Sequence, residues 1–343
     1  MRANYPPNKS CARSEIAQRR CWAAVLMFTA PYDMGENMNP REQINLTKPV
    51  CVPFLIATWI LSILISILPD VLFVELTGHI PAWLFWAKIG LLSLLLFLGL
   101  VWEIIRPLWQ YFIVFLVLYL SQWAFGWIGN TPQWRSWFGS SVFTTSMLGN
   151  QLLKLGPALI LVIAMWIMKR RWNDMYLTIG KLDASAGPVS WLGIDNKVSW
   201  KNLGWISALC ISGGTLAFLV IAGHPSLSAF TQLPPLLPAI LIFAVTNAFS
   251  EEMSFRAPQL ATLQEAIGPF QAILLTATYF GIAHYYGVPY GMIGVVMSGV
   301  LGWFLGKSMY ETKGFFWPWF IHFMQDVMIF SFMALGAIAA GGR

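Results

Sequence analysis

From Asn202 to Ser250 the chain runs without one Asp, Glu, Lys or Arg, and it then presents Ser250-Glu251-Glu252-Met253-Ser254-Phe255-Arg256. Ionisable groups within or at the edge of so apolar a segment are costly unless something pairs with them. They are therefore read first as a functional site, and the rest of the chain is read for their partners. Only 10% of the 343 residues are charged and 57% are hydrophobic, where a soluble domain carries about 25% charged residues. Such a chain cannot cover itself with a wetted surface. The expected fold is all-α, a polytopic transmembrane bundle of about eight to nine spans. Eighteen Trp and ten Tyr suit the headgroup level, where amphipathic rings collect. The net charge of +6 is assigned to basic cytoplasmic loops and not to nucleic acid. Cys11, Cys21, Cys51 and Cys210 are scattered without a C-x-x-C spacing, so neither a disulfide framework nor a zinc knuckle is expected.

Residues 1–48 read as a flexible, basic cytoplasmic tail, in which Cys21 to Ala30 is apolar but far too short to span. Spans are expected at Cys51–Leu68, Trp83–Trp102 and Leu108–Ile128, with a fourth ending at Met168. These N-terminal helices make up the region 49–168. The connection 169–202 opens Lys169-Arg170-Arg171 and adds Lys181, Lys197 and Lys201, which places it in the cytoplasm by the positive-inside rule. Counting spans in both directions puts the N-terminus and Lys307 with Lys313 on that same side. Region 203–340 is read as the catalytic core, with spans at Leu203–Ala222, from Pro238 through the glutamates, and at Phe270–Tyr286, Met292–Lys307 and Trp317–Ala340.

Adjacent Glu251 and Glu252 point about 100° apart on a helix, so one can face a cavity while the other pairs sideways. Arg256 lies four residues after Glu252, on its face and in the favourable order. Both glutamates can equally belong to a solvated helix end. His284 has no acidic or basic neighbour from Ala266 to Gly306, and a lone helical histidine is often a hydrogen-bonded core residue. His322 and Asp326 are four apart on one face of an apolar helix. An Asp there costs about 2.5–3.5 kcal/mol on insertion scales, so it needs a partner. Lys88 and Lys154 are read as snorkelling near span ends, and His79 and His224 as ordinary loop residues. A hairpin turning at Gly268-Pro269 brings Glu252 level with His284, each sixteen residues from the turn. Straight helices then leave His322 about 8 Å deep and His284 about 20 Å deep, a gap to be closed by tilt or by a broken helix near Gly287-Val-Pro289-Tyr-Gly291.

A glutamate in a low-dielectric site can accept a proton from water, and histidines can orient that water, donate to a developing oxyanion or ligate a metal. No H-E-x-x-H zincin helix is present. Glu251-Glu252-x-x-x-Arg256, Phe280-x-x-x-His284 and His322-x-x-x-Asp326 together resemble the three motifs of the CPBP family, the CAAX-protease and bacteriocin-processing (ABI) intramembrane proteases. The thirty-eight-residue spacing of the histidines and the Tyr310-Glu-Thr-Lys-Gly314 turn are similar to that family too, over about residues 235–335.

The resemblance implies a glutamate-type intramembrane endopeptidase. In it Glu251 activates water with His284, His322 and residue 326 stabilise the oxyanion, and Glu252 and Arg256 support the site, as does Phe280. It also implies a membrane-anchored or lipidated protein substrate, no nucleic acid, and a bacterial plasma membrane. Asp326 departs from the family, where Asn is frequent at that position. An ionised Asp donates no hydrogen bond, so an oxyanion role requires Asp326 to be protonated; otherwise it orients His322 or joins Glu251, His284 and His322 around a divalent metal such as zinc. Two other readings use the same residues: a proton-coupled transporter with a Glu/His/Asp relay, and a non-catalytic scaffold or immunity protein of the same fold.

Overall fold

Proline marks where helices begin in this chain. It stands in the first turn of α1 (Val52–Ile65), α2 (Leu68–Thr77), α5 (Pro132–Phe138), α9 (Leu237–Phe255), α10 (Ala257–Ile267) and α11 (Pro269–Ala283). There its missing N–H leaves no hydrogen bond unmade. The remaining helices are α3 (Ala82–Val101), α4 (Trp109–Gly129), α6 (Phe143–Ile167), α7 (Trp200–Gly223), the short α8 (Leu227–Phe230), α12 (Met292–Thr312) and α13 (Phe316–Ala339). The computed structural model describes residues 50–189, 192–194 and 198–340; the tail expected over 1–48 lies outside them.

The molecule is an all-α membrane bundle. Among the described residues seven helical runs are long and apolar enough to cross a bilayer, and eight if the bent pair α1–α2 counts as one span. Two expected spans differ in form. The first is broken by 51° between α1 and α2, where Ser66 Oγ donates to Ile63 O and accepts from Leu68 N. The seventh stops at Ala283, after fifteen residues, too short to cross by itself. Large apolar side chains such as Ile60, Trp86, Phe97, Ile163, Leu209 and Ile242 are exposed on the outer faces, as a lipid-facing surface requires.

Two devices position the functional end. The first is the crossing of α11 and α12. A methyl on Gly281 would stand 2.6 Å from Val295 O and 3.1 Å from Gly299 Cα, so only glycine lets these backbones approach. The second lies in the connection after α6, whose residues 178–187 fold as a strap. Lys181 N donates to Thr312 O (2.7 Å) and Phe315 N to Thr178 O (2.7 Å). Trp317 Nε1 donates to Leu182 O (2.9 Å), while Glu311 Oε2 accepts from Gly187 N and Trp200 Nε1. Gly180 (φ +77°) lies against Gly314, and a Cβ there would meet Gly314 Cα at 2.6 Å. The turn between α12 and α13 is thereby clamped, and α13 starts from a fixed point. A smaller tie of the same kind joins Arg170 Nη2 to Glu265 Oε2 (2.8 Å).

The α11–α12 contact predicts that Gly281→Ala lowers the thermal midpoint in detergent, by the equivalent of about 1–3 kcal/mol of overpacking. Gly213, where an added Cβ meets nothing within 4 Å, is the control. Gly213→Ala should hold or raise the midpoint, since Ala is the better helix former by about 1 kcal/mol.

Candidate active site

The site forms where α9 ends. Pro258 has no N–H to give Ser254 O, and the side-chain amide of Gln259 donates to that carbonyl instead. The helix therefore breaks at Arg256 (φ −134°, ψ −66°), one turn after the paired glutamates. Glu252 is wholly buried, and its Oε2 pairs with the equally buried Arg256 guanidinium. That guanidinium lies 5.0 Å over the Phe280 ring. Glu252 Oε1 accepts from His322 Nδ1 at 2.9 Å, because a carboxylate bonded to arginine can act only as the acceptor. A neutral His322 thus carries its proton on Nδ1 and turns a bare Nε2 to the other side.

On that other side stands Glu251. Its Oε2 is 3.6 Å from His322 Nε2 and 3.9 Å from His284 Nε2. His284 is the C-cap residue of α11, and its Nδ1 donates to Phe280 O at 2.7 Å, which folds the ring back along its own helix. The following loop is held to α2 by Glu75, which accepts from Tyr286 (3.2 Å) and Tyr290 (2.8 Å). Both imidazoles thus reach Glu251 Oε2, with α11 ended at Ala283 and the His284 ring turned back onto Phe280 O. The Glu251 side chain is 15% exposed and that of His284 32%, against 5% for His322, so the cluster opens on the Glu251–His284 side.

Glu251, Glu252, Arg256, Phe280, His284, His322 and Asp326 are thus brought into one cluster. Two further members, Asn247 and Lys154, were not foreseen as such. Asn247 Nδ2 donates to Glu251 Oε1 (3.1 Å) and to Asp326 Oδ2 (3.0 Å). Lys154 Nζ donates to Asn247 Oδ1 (2.7 Å) and to Glu251 Oε1 (3.1 Å). The sequence signal for Asn247 was its place one helical turn before Glu251 in a charge-free run. Lys154 does not sit near a span end. It lies eleven residues into the twenty-five of α6, about 16 Å from the start of the helix, where a lysine needs an acidic partner. Lys88 likewise does not snorkel: it is buried and paired with Asp70. His79 and His224 are exposed and outside the cluster.

Asp326 has its Oδ1 3.8 Å from His322 Nε2 and its Oδ2 taken by Asn247. Its one hydrogen bond among the site residues is accepted from Asn247. Among the described residues no group of three or more His, Cys, Asp or Glu side chains is placed to hold a metal ion. The ammonium of Lys154 beside Glu251 explains the misfit with the expected zinc set, since it would repel a second cation at the same carboxylate. Two cavities lie elsewhere. One of about 310 Å³ is lined by Asp70, Lys88 and Tyr119, and one of about 500 Å³ lies between α11 and α12 at Leu274, Val296 and Trp303.

Residues 233–328 match a family model described as type II CAAX prenyl endopeptidase Rce1-like. The match covers α9 to the middle of α13, the segment that carries all three motifs, and is consistent with assignment to the CPBP family. No curated protein and no solved structure matches the chain.

The buried pair predicts that Arg256→Met destabilises the protein by about 3–5 kcal/mol, because it strands the Glu252 charge. Glu252→Met with Arg256→Met should recover most of the loss. Thermal melts of the two proteins in detergent decide it, and equal midpoints for them would count against the pair.

Proposed function

We propose that this integral membrane protein is an endopeptidase of CAAX-protease type that hydrolyses a peptide bond with a water activated by Glu251. The observation that carries the reading is the placement of Glu251 Oε2 3.6 and 3.9 Å from two histidine Nε2 atoms on other helices. These separations are too long for direct hydrogen bonds and suit a water bridging the three groups. The family match supports the protease class over the proton-relay transporter.

In this reading His284, protonated on Nδ1 by its bond to Phe280 O, offers a bare Nε2 that orients the water. Glu251 takes one water proton as the oxygen attacks the scissile carbonyl carbon, and it returns that proton to the departing amine. His322, when protonated on both nitrogens, donates through Nε2 to the carbonyl oxygen as negative charge develops there. Glu252 and Arg256 hold His322 through Nδ1. Asp326 fixes Asn247, which in turn holds Glu251. No step is routed through a metal. The substrate is a membrane-associated protein, and a prenylated CAAX peptide, the class named by the matching family, is the first probe.

Purified protein should cleave an internally quenched prenylated CAAX peptide, with Glu251→Gln slower by at least about 100-fold, the usual scale for a lost general base. Glu251→Gln turning over as fast as wild type would refute the mechanism. Because Glu251 and His284 are proposed to act on one water, their losses should not add. The variant Glu251→Gln/His284→Ala should be no slower than Glu251→Gln alone in the same assay.

A further inference from the structure

We infer that Lys154, on a helix outside the matched segment 233–328, is a positioning residue of the active site that makes a carboxylate at position 326 tolerable there. The inference deepens the endopeptidase reading, yet its thermal arm below does not depend on it.

The argument starts from charge. Glu251, Glu252 and Asp326 converge from α9 and α13, and Arg256 is taken up by Glu252. Glu251 and Asp326 then accept from the two N–H bonds of a single neutral amide, Asn247 Nδ2, at 3.1 and 3.0 Å. A carboxamide can bridge two carboxylates, but it brings no charge to offset them. Lys154 Nζ is an ammonium that reaches one acid of this pair directly, at 3.1 Å from Glu251 Oε1, and the other through Asn247, at 2.7 Å from its Oδ1.

Hydrogen-bond chemistry makes the arrangement directional. An ammonium only donates and a carboxylate only accepts, so Asn247 has one orientation: Oδ1 to Lys154, Nδ2 to the acids. Lys154 therefore sets the amide, the amide holds Asp326, and both hold Glu251. The residues also face His284 and His322, each within 4 Å of Glu251 Oε2, so a shift of Glu251 is felt at the proposed water position. A lysine in the middle of a span is otherwise unfavourable, and this contact accounts for its place.

Lys154 and Asp326 should then be coupled although Asn247 stands between them. Asp326→Asn keeps an oxygen for Asn247 and removes one negative charge. In that background the ammonium has less to offset.

The test uses wild type, Lys154→Met, Asp326→Asn and Lys154→Met/Asp326→Asn, each full-length in detergent. Each is read by its melting midpoint and by kcat and KM on the quenched prenylated peptide. Lys154→Met leaves the mostly buried Glu251 without its half-exposed cation and is expected to lose kcat on the order of 30-fold, with KM within about 3-fold. Asp326→Asn should stay within about 10-fold of wild type, and the double variant should regain at least about 10-fold over Lys154→Met. Midpoints should follow the same order, with Lys154→Met lowest. A merely structural lysine would not be rescued by removing a charge on another helix. Folded Lys154→Met obtained only alongside Asp326→Asn is that same rescue. The inference is overturned if Lys154→Met matches wild type, if the double variant is no better than Lys154→Met in both readouts, or if neither folds. Should wild type leave the peptide uncut, the substrate reading fails, and the order of midpoints alone decides the role of Lys154.

Discussion

A carboxylate removed from water must meet a cation or a set of donors, and in this protein that rule organises the whole C-terminal half. Glu252 is wholly buried and pairs with Arg256, which stands at the helix break before Pro258 and lies over the face of Phe280. The break at Arg256 redirects the chain into α10 and the hairpin with α11, and the hairpin returns His284 to the level of Glu251. His322 is caught by the remaining oxygen of Glu252. One ion pair with no access to solvent thus stands where three helices meet. Exchanging such a pair for well-packed apolar groups is often close to neutral for stability. Its worth here lies in geometry, because an apolar pair of equal volume would leave Nδ1 of His322 without its partner.

Much of this was legible from residues alone, for a physical reason. In an apolar chain each ionisable side chain is informative, since its cost has to be offset. Glu251, Glu252, Arg256, His284, His322 and Asp326 stood out against long uncharged runs. The helical spacing of Glu252 to Arg256 and of His322 to Asp326 told which could share a face. Gly268-Pro269 marked a turn that α10 and α11 do make.

What stayed hidden was hidden for equally physical reasons. Asn247 is neutral, so the argument from charge passes over it, and its place one turn before Glu251 gains meaning from its distances to two carboxylates. Lys154 was read as snorkelling near a span end, whereas α6 continues as one helix through Pro157 and carries Lys154 near its middle. Its partner is ninety-seven residues away, a pairing that no local periodicity encodes. The seventh span is expected from the sequence to run on to Tyr286, whereas α11 ends at Ala283. The His284 ring folds back to Phe280, a choice made by one hydrogen bond at the helix end.

The clamp at Gly180 and Gly314 has a bearing on registry. His322 lies six residues past the start of α13, a distance short enough that the helix transmits any slip without damping. Sliding α13 by a single residue turns its side chains through about 100° and moves them about 1.5 Å along the axis, enough to part His322 from Glu252. The two backbone hydrogen bonds and the glycine pair at the membrane edge forbid that slip. A segment that contains none of the reacting groups, and that bears the basic character of a surface loop, thereby acts as the index pin for the imidazole on which the centre closes.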